Sequence, residues 1–417
     1  MPEFFNVLPP DEARQLLLEN VTPIVEAEIL SPLDALDRVT QKAIHAPQPL
    51  PEFRRSTMDG YAVRATDTHG AGESLPAYLQ VMGEVPMGKP AGVSLGTGQA
   101  AVVHTGGMLP DSADAVVQLE HTQRIDSRDA SRFPFEIEVF RSVAVGQNVI
   151  QIGEDIGQGD VLIPGGRRLR PQDIGGLMAL GITRVAVVRR PIVVIIATGD
   201  EVVSPEATVQ PGQIRDINSY TIAAQIIRAG GVPEMMGIVP DDLGALREAS
   251  REGLRRSDML VMSAGSSVSA RDMTAKIIEE LGQPGVLLHG VATRPGKPTI
   301  AGAVDGKPVL GLPGNPVSAM VQFDMFGTPA IHRLLGLAET FRRGRFMAFL
   351  EQNIASETGR EDYVPGRLVE RDNSLIVVPI FGKSNLINTL VQADCLIKIP
   401  LNKGGLMAGE SVEILFP

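Results

Sequence analysis

A single cysteine, Cys395, among 417 residues rules out an internal disulfide and a cysteine-built metal centre. Its place in the apolar run Cys395–Ile399 reads as that of a small buried hydrophobe. Long apolar runs are missing too. None approaches the ~20 residues that a membrane-spanning helix needs, so no membrane partner is expected. The stretch MPEFFNVLPPDEARQ has no basic segment leading into an apolar one, so the expectation is no signal peptide and residence in the cytoplasm. Basic excess is absent as well: 38 Lys and Arg stand against 49 Asp and Glu, a net charge of −11. That argues against a nucleic-acid surface, although a few local cations can still hold a small anion. The six histidines show no metal-ligand spacing. GxSxG, Walker, zinc and post-strand GxGxxG patterns are absent, so Ser–His catalysis and a nicotinamide-binding unit have no support.

What is present is the composition of a soluble globular chain, 43% hydrophobic and 21% charged. Its length implies about two to four domains. The 44 glycines and 31 prolines are scattered, as suits many tight turns. Residues 10–19 read as a helix with Ala13, Leu16 and Leu17 on one face. Ser31–Pro32 reads as the start of a second helix over Leu33–Val39. Residues 53–140 hold short β-type runs, Tyr78–Val81, Ala101–His104, Ala115–Leu119 and Phe135–Phe140, so a small β domain is expected. Pro171–Gly181 looks helical and Thr183–Val188 strand-like. From Pro191 strands and helices alternate. Strands are expected at Ile192–Ala197, up to Val239, and at Met259–Met262, Val286–His289, Pro298–Ala301 and Pro308–Leu310. Helices are expected at Ser219–Ala229 (Ile222, Ala223, Ile226 and Ile227 sharing a face), Leu243–Arg255, Asp272–Leu281 and from Val317. This pattern argues for a mostly parallel, doubly wound sheet. Beyond Gly336 the runs read as strands of a compact all-β domain.

Two loops carry the chemical signal, TGDE at Thr198–Glu201 and GLPGNPVSAM at Gly311–Met320. Both follow apolar strands, and in such sheets ligands bind beyond the strand carboxyl ends. In the second loop Asn315 suits a helix N-cap and Pro316 the first helical position, while Gly314 permits close backbone approach. Such a helix start offers N–H groups to an anion. Other strand-end loops supply Asp241 and Asp242; Ser263, Ser266, Ser267, Arg271 and Asp272; and Arg294 and Lys297. Carboxylates beside a phosphate are what Mg²⁺ requires. The plain structural readings are helix capping for Asp242 and Asp272, a tight turn for Gly311–Pro316, and solvated charges for Arg294 and Lys297. Glu201 has no evident structural duty. In the β section, RRSTMDGYAV at 54–63 and HTGGMLPDSADAVV at 104–117 contain Asp59 and Thr105, and on the residues alone each reads as a turn.

Taken in order, these segments resemble the molybdopterin molybdenumtransferase family, which includes MoeA and the E domains of gephyrin and its plant relative. PEFRRSTMDGYAV, HTGGMLPDSADAVVQLE, GQNVIQIGEDIGQGDVLIPGG, ATGDEVV, GQIRDINSY, PDD, TRPGKP and GLPGNPVSAM carry the likeness over nearly the whole chain. The resemblance implies four parts: a discontinuous linking domain at 1–48 and 141–187, a β lid at 49–140, an α/β domain at 188–337 and a β-barrel-like domain at 338–417. It implies a homodimer in which the lid of one subunit meets the α/β domain of the other. The family takes adenylylated molybdopterin and molybdate with Mg²⁺, inserts the metal at the dithiolene and releases AMP. On this likeness Glu201, Asp241 and Asp272 hold magnesium, and Asp59 and Thr105 act from the lid. Ser266, Arg294, Lys297, Pro313, Gly314, Asn315, Pro316 and Ser384 contact substrate. The molybdopterin adenylyltransferase and cofactor-accepting enzymes are the partners it suggests.

The chain departs from the family pattern in places. SAGSSVSARD puts Ser266 where a glycine is usual, Gly290 stands near a usual lysine, and VIQ at 149–151 lacks the usual arginines. A scaffold that binds molybdopterin without chemistry is therefore a second reading, and the likeness of the α/β domain to an adenylyltransferase that acts on molybdopterin with ATP gives a third.

Overall fold

The computed structural model describes residues 7–125, 133–263, 268–338 and 346–416, with backbone only for 268–271. The chain divides into two compact units, one formed by residues 1–42, 165–170 and 184–417, the other by 43–164 and 171–183.

The larger unit is built on a six-stranded sheet. Its elements in chain order are β1 (Ile192–Thr198), α1 (Asn218–Ala229), β2 (Val232–Val239), α2 (Leu243–Arg256), β3 (Met259–Ser263), α3 (Val268–Leu281), β4 (Pro284–His289), β5 (Ile300–Val304), β6 (Lys307–Leu312) and α4 (Pro316–Gln322). The spatial order is β2-β1-β3-β6-β5-β4. Neighbours from β2 to β6 run parallel, and β5 is antiparallel to both β6 and β4. Five strands therefore point their carboxyl ends to one edge, and β5 alone starts there.

Both faces of the sheet are covered, which follows from the side-chain alternation of a strand. Val193 and Ile195 of β1 join Val261, Leu310, Ile222 and Phe326 in one core. Val194 and Ile196 join Leu260, Met262, Leu246 and Ile277 in the opposite one. The helix Pro10–Glu19 packs Ala13 and Leu17 into the first core. Ile227, expected on the buried stripe of α1, is 62% exposed. It lies one residue, about 100°, past Ile226, beyond the stripe's edge.

Downstream, β7 (Phe346–Leu350), β8 (Glu361–Arg371), β9 (Ser374–Pro379), β10 (Cys395–Ile399) and β11 (Ser411–Leu415) close a ring β8-β9-β7-β11-β10-β8. Full closure leaves no ring edge unpaired. Thr293–Arg294 adds a short parallel strand to β8, and so joins this barrel to the loop between β4 and β5.

The smaller unit centres on another six-stranded sheet, ordered 115–118, 60–63, 99–103, 77–84, 135–139 and 122–124. Here Tyr61 and Val63 face one core and Ala62 the other. Pro171–Ala179 is helical, as read.

The sequence reading needs three corrections. Leu33–Val39 is not a helix: residues 33–37 form a turn and Val39 bridges to Arg168. Ser31 Oγ does receive the Asp34 N–H at 3.3 Å, but Asp37 takes a left-handed φ of 62° and its N–H turns to Leu169 O, ending the coil after one turn. Gly60–Val63, read as part of a turn, is a fully buried strand in which a Cβ on Gly60 would stand 2.0 Å from Val117 O. Gly311 and Leu312, assigned to a loop, belong to β6, where a Cβ on Gly311 would meet Thr274 Cγ2 at 2.6 Å.

Candidate functional site

Along the carboxyl edge of the sheet the loops sort by charge. Beyond β1 and β2 lie Asp200, Glu201, Asp241 and Asp242. The β4–β5 connection carries Arg294 and Lys297, and Pro313–Asn315 follows β6. Adjacent strands are about 4.8 Å apart, so the strand order alone separates an acidic half of the rim from a cationic half by the width of β3.

In the acidic half, Gly199 takes a φ of 144°, and a Cβ there would meet Glu201 Oε2 at 2.8 Å. The Glu201 carboxylate folds back over its own turn, and the Glu201 main-chain carbonyl accepts from Ile214 N at 2.8 Å. The Thr198 hydroxyl donates to Asp241 Oδ1, and Asp241 N donates to Asp200 Oδ1 at 3.3 Å. Asp242 is a helix cap, accepting from Ala245 N at 2.8 Å. Asp272 is not a cap, because α3 begins four residues earlier at Val268 and leaves it exposed on the helix. Ser266 and Ser267 lie outside the described residues. Among the described residues no three His, Cys, Asp or Glu side chains gather closely enough to cage a metal. Carboxylates are hard-oxygen donors, the type of which Mg²⁺ takes one or two while keeping its waters.

In the cationic half, a cleft of about 750 Å³ opens between the sheet's loops and the barrel. Arg294, Lys297, Pro313, Gly314, Asn315 and Ser384 line it. Six of the expected substrate-contacting residues are thus brought together, while Glu201, Asp241, Asp272 and Pro316 are not on its wall. Buried Gln322 shapes the TRPGKP turn by donating to Thr293 Oγ1 at 3.0 Å and to Pro295 O at 2.8 Å. Gly296 is required there: its φ is 106°, and a Cβ would lie 2.3 Å from Gln322 Cγ.

Asn315 occupies the N-cap position of α4, but its side chain makes no cap. It donates instead to Ser384 Oγ at 3.1 Å, and Val317 N donates to Ser384 O at 3.1 Å. The first helical N–H after Pro316 is therefore taken by the barrel, a correction to the expectation that it is offered to an anion. Buried Asn218, at the start of α1, donates to Ser263 Oγ at 2.8 Å and to Gly314 O at 2.9 Å, tying two strand ends together.

Sequence reasoning missed Arg360, Asp362 and Lys383, which also line the cleft. Asp362 is only 4% exposed and lies 2.9 Å from Arg360 Nε and 3.8 Å from Arg294 Nη1. The one available signal was the basic residue beside Ser384 in FGKSN.

The smaller unit joins two residues taken from separate motifs. Exposed Asp59 accepts from Thr105 N at 2.8 Å and from Thr105 Oγ1 at 3.2 Å across 46 residues of chain. The Thr105 N–H and hydroxyl hold the Asp59 carboxyl below its ordinary range. His104, which bonds Glu84 Oε1 at 2.8 Å, stands 3.9 Å from Asp59.

Comparison with known proteins covers nearly the whole chain. The MoeA N-terminal region (domain I and II) matches residues 8–181, the "Probable molybdopterin binding domain" residues 194–333, and the MoeA C-terminal region (domain IV) residues 348–416. The molybdopterin molybdenumtransferase of Bacillus subtilis is 33% identical over 94% of this chain and 90% of its own. That of Haemophilus influenzae is 31% identical over 97% of each. A crystal structure of the molybdopterin biosynthesis MoeA protein from Pyrococcus horikoshii superposes with a TM-score of 0.83 at 30% identity, over 99% of this chain and 100% of that one. Fold, motif order and whole-length similarity agree: the chain belongs to the MoeA family, the molybdopterin molybdenumtransferases of molybdenum cofactor biosynthesis.

Proposed function

We propose that this protein inserts molybdate into adenylylated molybdopterin and releases AMP with the help of Mg²⁺. The supporting observation is the sorted rim, with cations and a cleft on one half and the strand-end carboxylates on the other. Two anions must meet in this reaction, and Arg294, Lys297, Arg360 and Lys383 offset their charge in the cleft. Glu201, Asp241 and Asp272 are the residues that would hold magnesium, which when bound polarises the phosphoanhydride. Asp59, kept ionised by Thr105, would work from the lid of a partner copy in a homodimer. The four-part domain division and cytoplasmic residence belong to the same proposal, as do an adenylyltransferase that supplies the substrate and enzymes that accept the product. Among the described residues no helix is long and apolar enough to cross a membrane.

The test is AMP release by purified protein given adenylylated molybdopterin, Mg²⁺ and molybdate. Release should depend on molybdate. Glu201→Ala should lower it by on the order of 100-fold or more, since a bound metal supplies several kcal/mol, without changing the protein's size in solution. Tight pterin binding without release would instead favour the scaffold reading that Ser266 motivates.

A further inference from the structure

Asp362 is not among the expected substrate contacts, yet both arginines of the cleft face it. We infer that Asp362 is a positioning residue that sets the separation and orientation of Arg360 and Arg294 for an anionic ligand. This rests on the reading of the cleft given above.

The geometry divides the carboxylate between two cations. Oδ1 accepts from Arg360 Nε at 2.9 Å, and Oδ2 faces Arg294 Nη1 at 3.8 Å. Arg360 comes from the barrel and Arg294 from the short strand between β4 and β5 that pairs with β8, so one carboxylate faces cations from two folding elements. Arg360 is fixed at a second point, because its Nη1 lies 2.9 Å from Glu357 Oε2. Neither contact uses Nη2, and a guanidinium held by two prongs presents the rest of its planar fork in one direction.

The neighbouring acid does not duplicate this role. Glu361 pairs with Lys398 at 2.9 Å and accepts from the Tyr363 hydroxyl. Strand alternation puts Glu361 and Tyr363 on one side of β8 and Asp362 on the other. The burial of Asp362 strengthens the case. A carboxylate at 4% exposure is retained where partners demand it, and its partners here are both lining cations.

Charge and geometry make opposite predictions for Asp362→Asn. If the carboxylate merely dilutes the positive charge of the cleft, its removal tightens anion binding. If it positions the arginines, binding weakens, because an asparagine has one oxygen for two guanidiniums and turns an N–H₂ donor toward one of them. AMP binding measured by calorimetry distinguishes the two. We expect Asp362→Asn to bind about tenfold more weakly, as suits the loss of one hydrogen bond between charged groups. Affinity equal to or above that of the unaltered protein overturns the inference.

Should that variant fail to fold, Asp362→Glu carries the test. It keeps the charge and both oxygens but moves them by one methylene, so positioning predicts a similar loss and charge alone predicts none. If the unaltered protein has no affinity for AMP, the reading of the cleft fails by itself. The positioning role is then decided by ligand-free crystal structures of the unaltered and Asp362→Asn proteins: separated arginines sustain it, and arginines that keep their places refute it.

Discussion

At the scale of single residues, the partly buried Asp258 shows how this protein pairs a charge. Asp258 accepts from Arg189 Nη1 at 2.7 Å and Nη2 at 2.8 Å, and from Ile192 N at 2.8 Å. Burial opposes its ionisation, but the Arg189 fork and the Ile192 N–H outweigh burial and leave the carboxyl below its ordinary 3.8. A lowered folded value means that this contribution is fully present above the unfolded value and is lost as pH falls through the folded one. Asp258→Asn should therefore lower stability at neutral pH by about 1.5–3 kcal/mol. The deficit should shrink below about pH 4, as seen in urea titrations across pH; a constant deficit would refute this account. Cys395 behaves as its sequence context suggests: it is 1% exposed, and burial pushes its thiol up to about 12, so thiolate chemistry is closed to it.

Among the elements, helix starts show how far local pattern reaches. Asp242 was legible as a cap because the residue type and the following amphipathic run agree. Asp242→Ala should cost about 1 kcal/mol in thermal or urea unfolding, within the 0.5–2 range for lost caps. A change smaller than the error of the measurement would mean that the Ala245 N–H finds another acceptor. Asn315 had the same local credentials and does something else, because Ser384, 69 residues away, competes for its amide. The helix over Leu33–Val39 failed for a similar reason, since Leu169 O captures the Asp37 N–H. Gly60–Val63 escaped notice because four residues opening on glycine carry almost no periodic signal.

For the larger unit as a whole, the cleft exists because a closed barrel and an α/β sheet share the short Thr293–Arg294 pairing. Neither part supplies the cation set alone. Lys383→Met, a change confined to the barrel side, should weaken AMP binding by roughly two- to fivefold, the effect of an exposed charge contact. Affinity of the unaltered protein should fall as salt rises from 50 to 500 mM, because Arg294, Lys297 and Lys383 are solvent-exposed and screened. Salt-independent binding would show that the cations do not carry the interaction.

Strand and helix alternation, the acidic strand-end turns and the ordered motifs were all legible in the sequence, because each is a local property of consecutive residues. They sufficed for the sheet, for the family and for six of the residues on the cleft wall. Strand order was not legible, since hydrogen-bond pairing is chosen between segments far apart in the chain. It is strand order that separates carboxylates from cations along the rim. Asp362, at the centre of two arginines, became visible only when the barrel closed. A lone acid on a strand has no signature until folding brings its partners within reach.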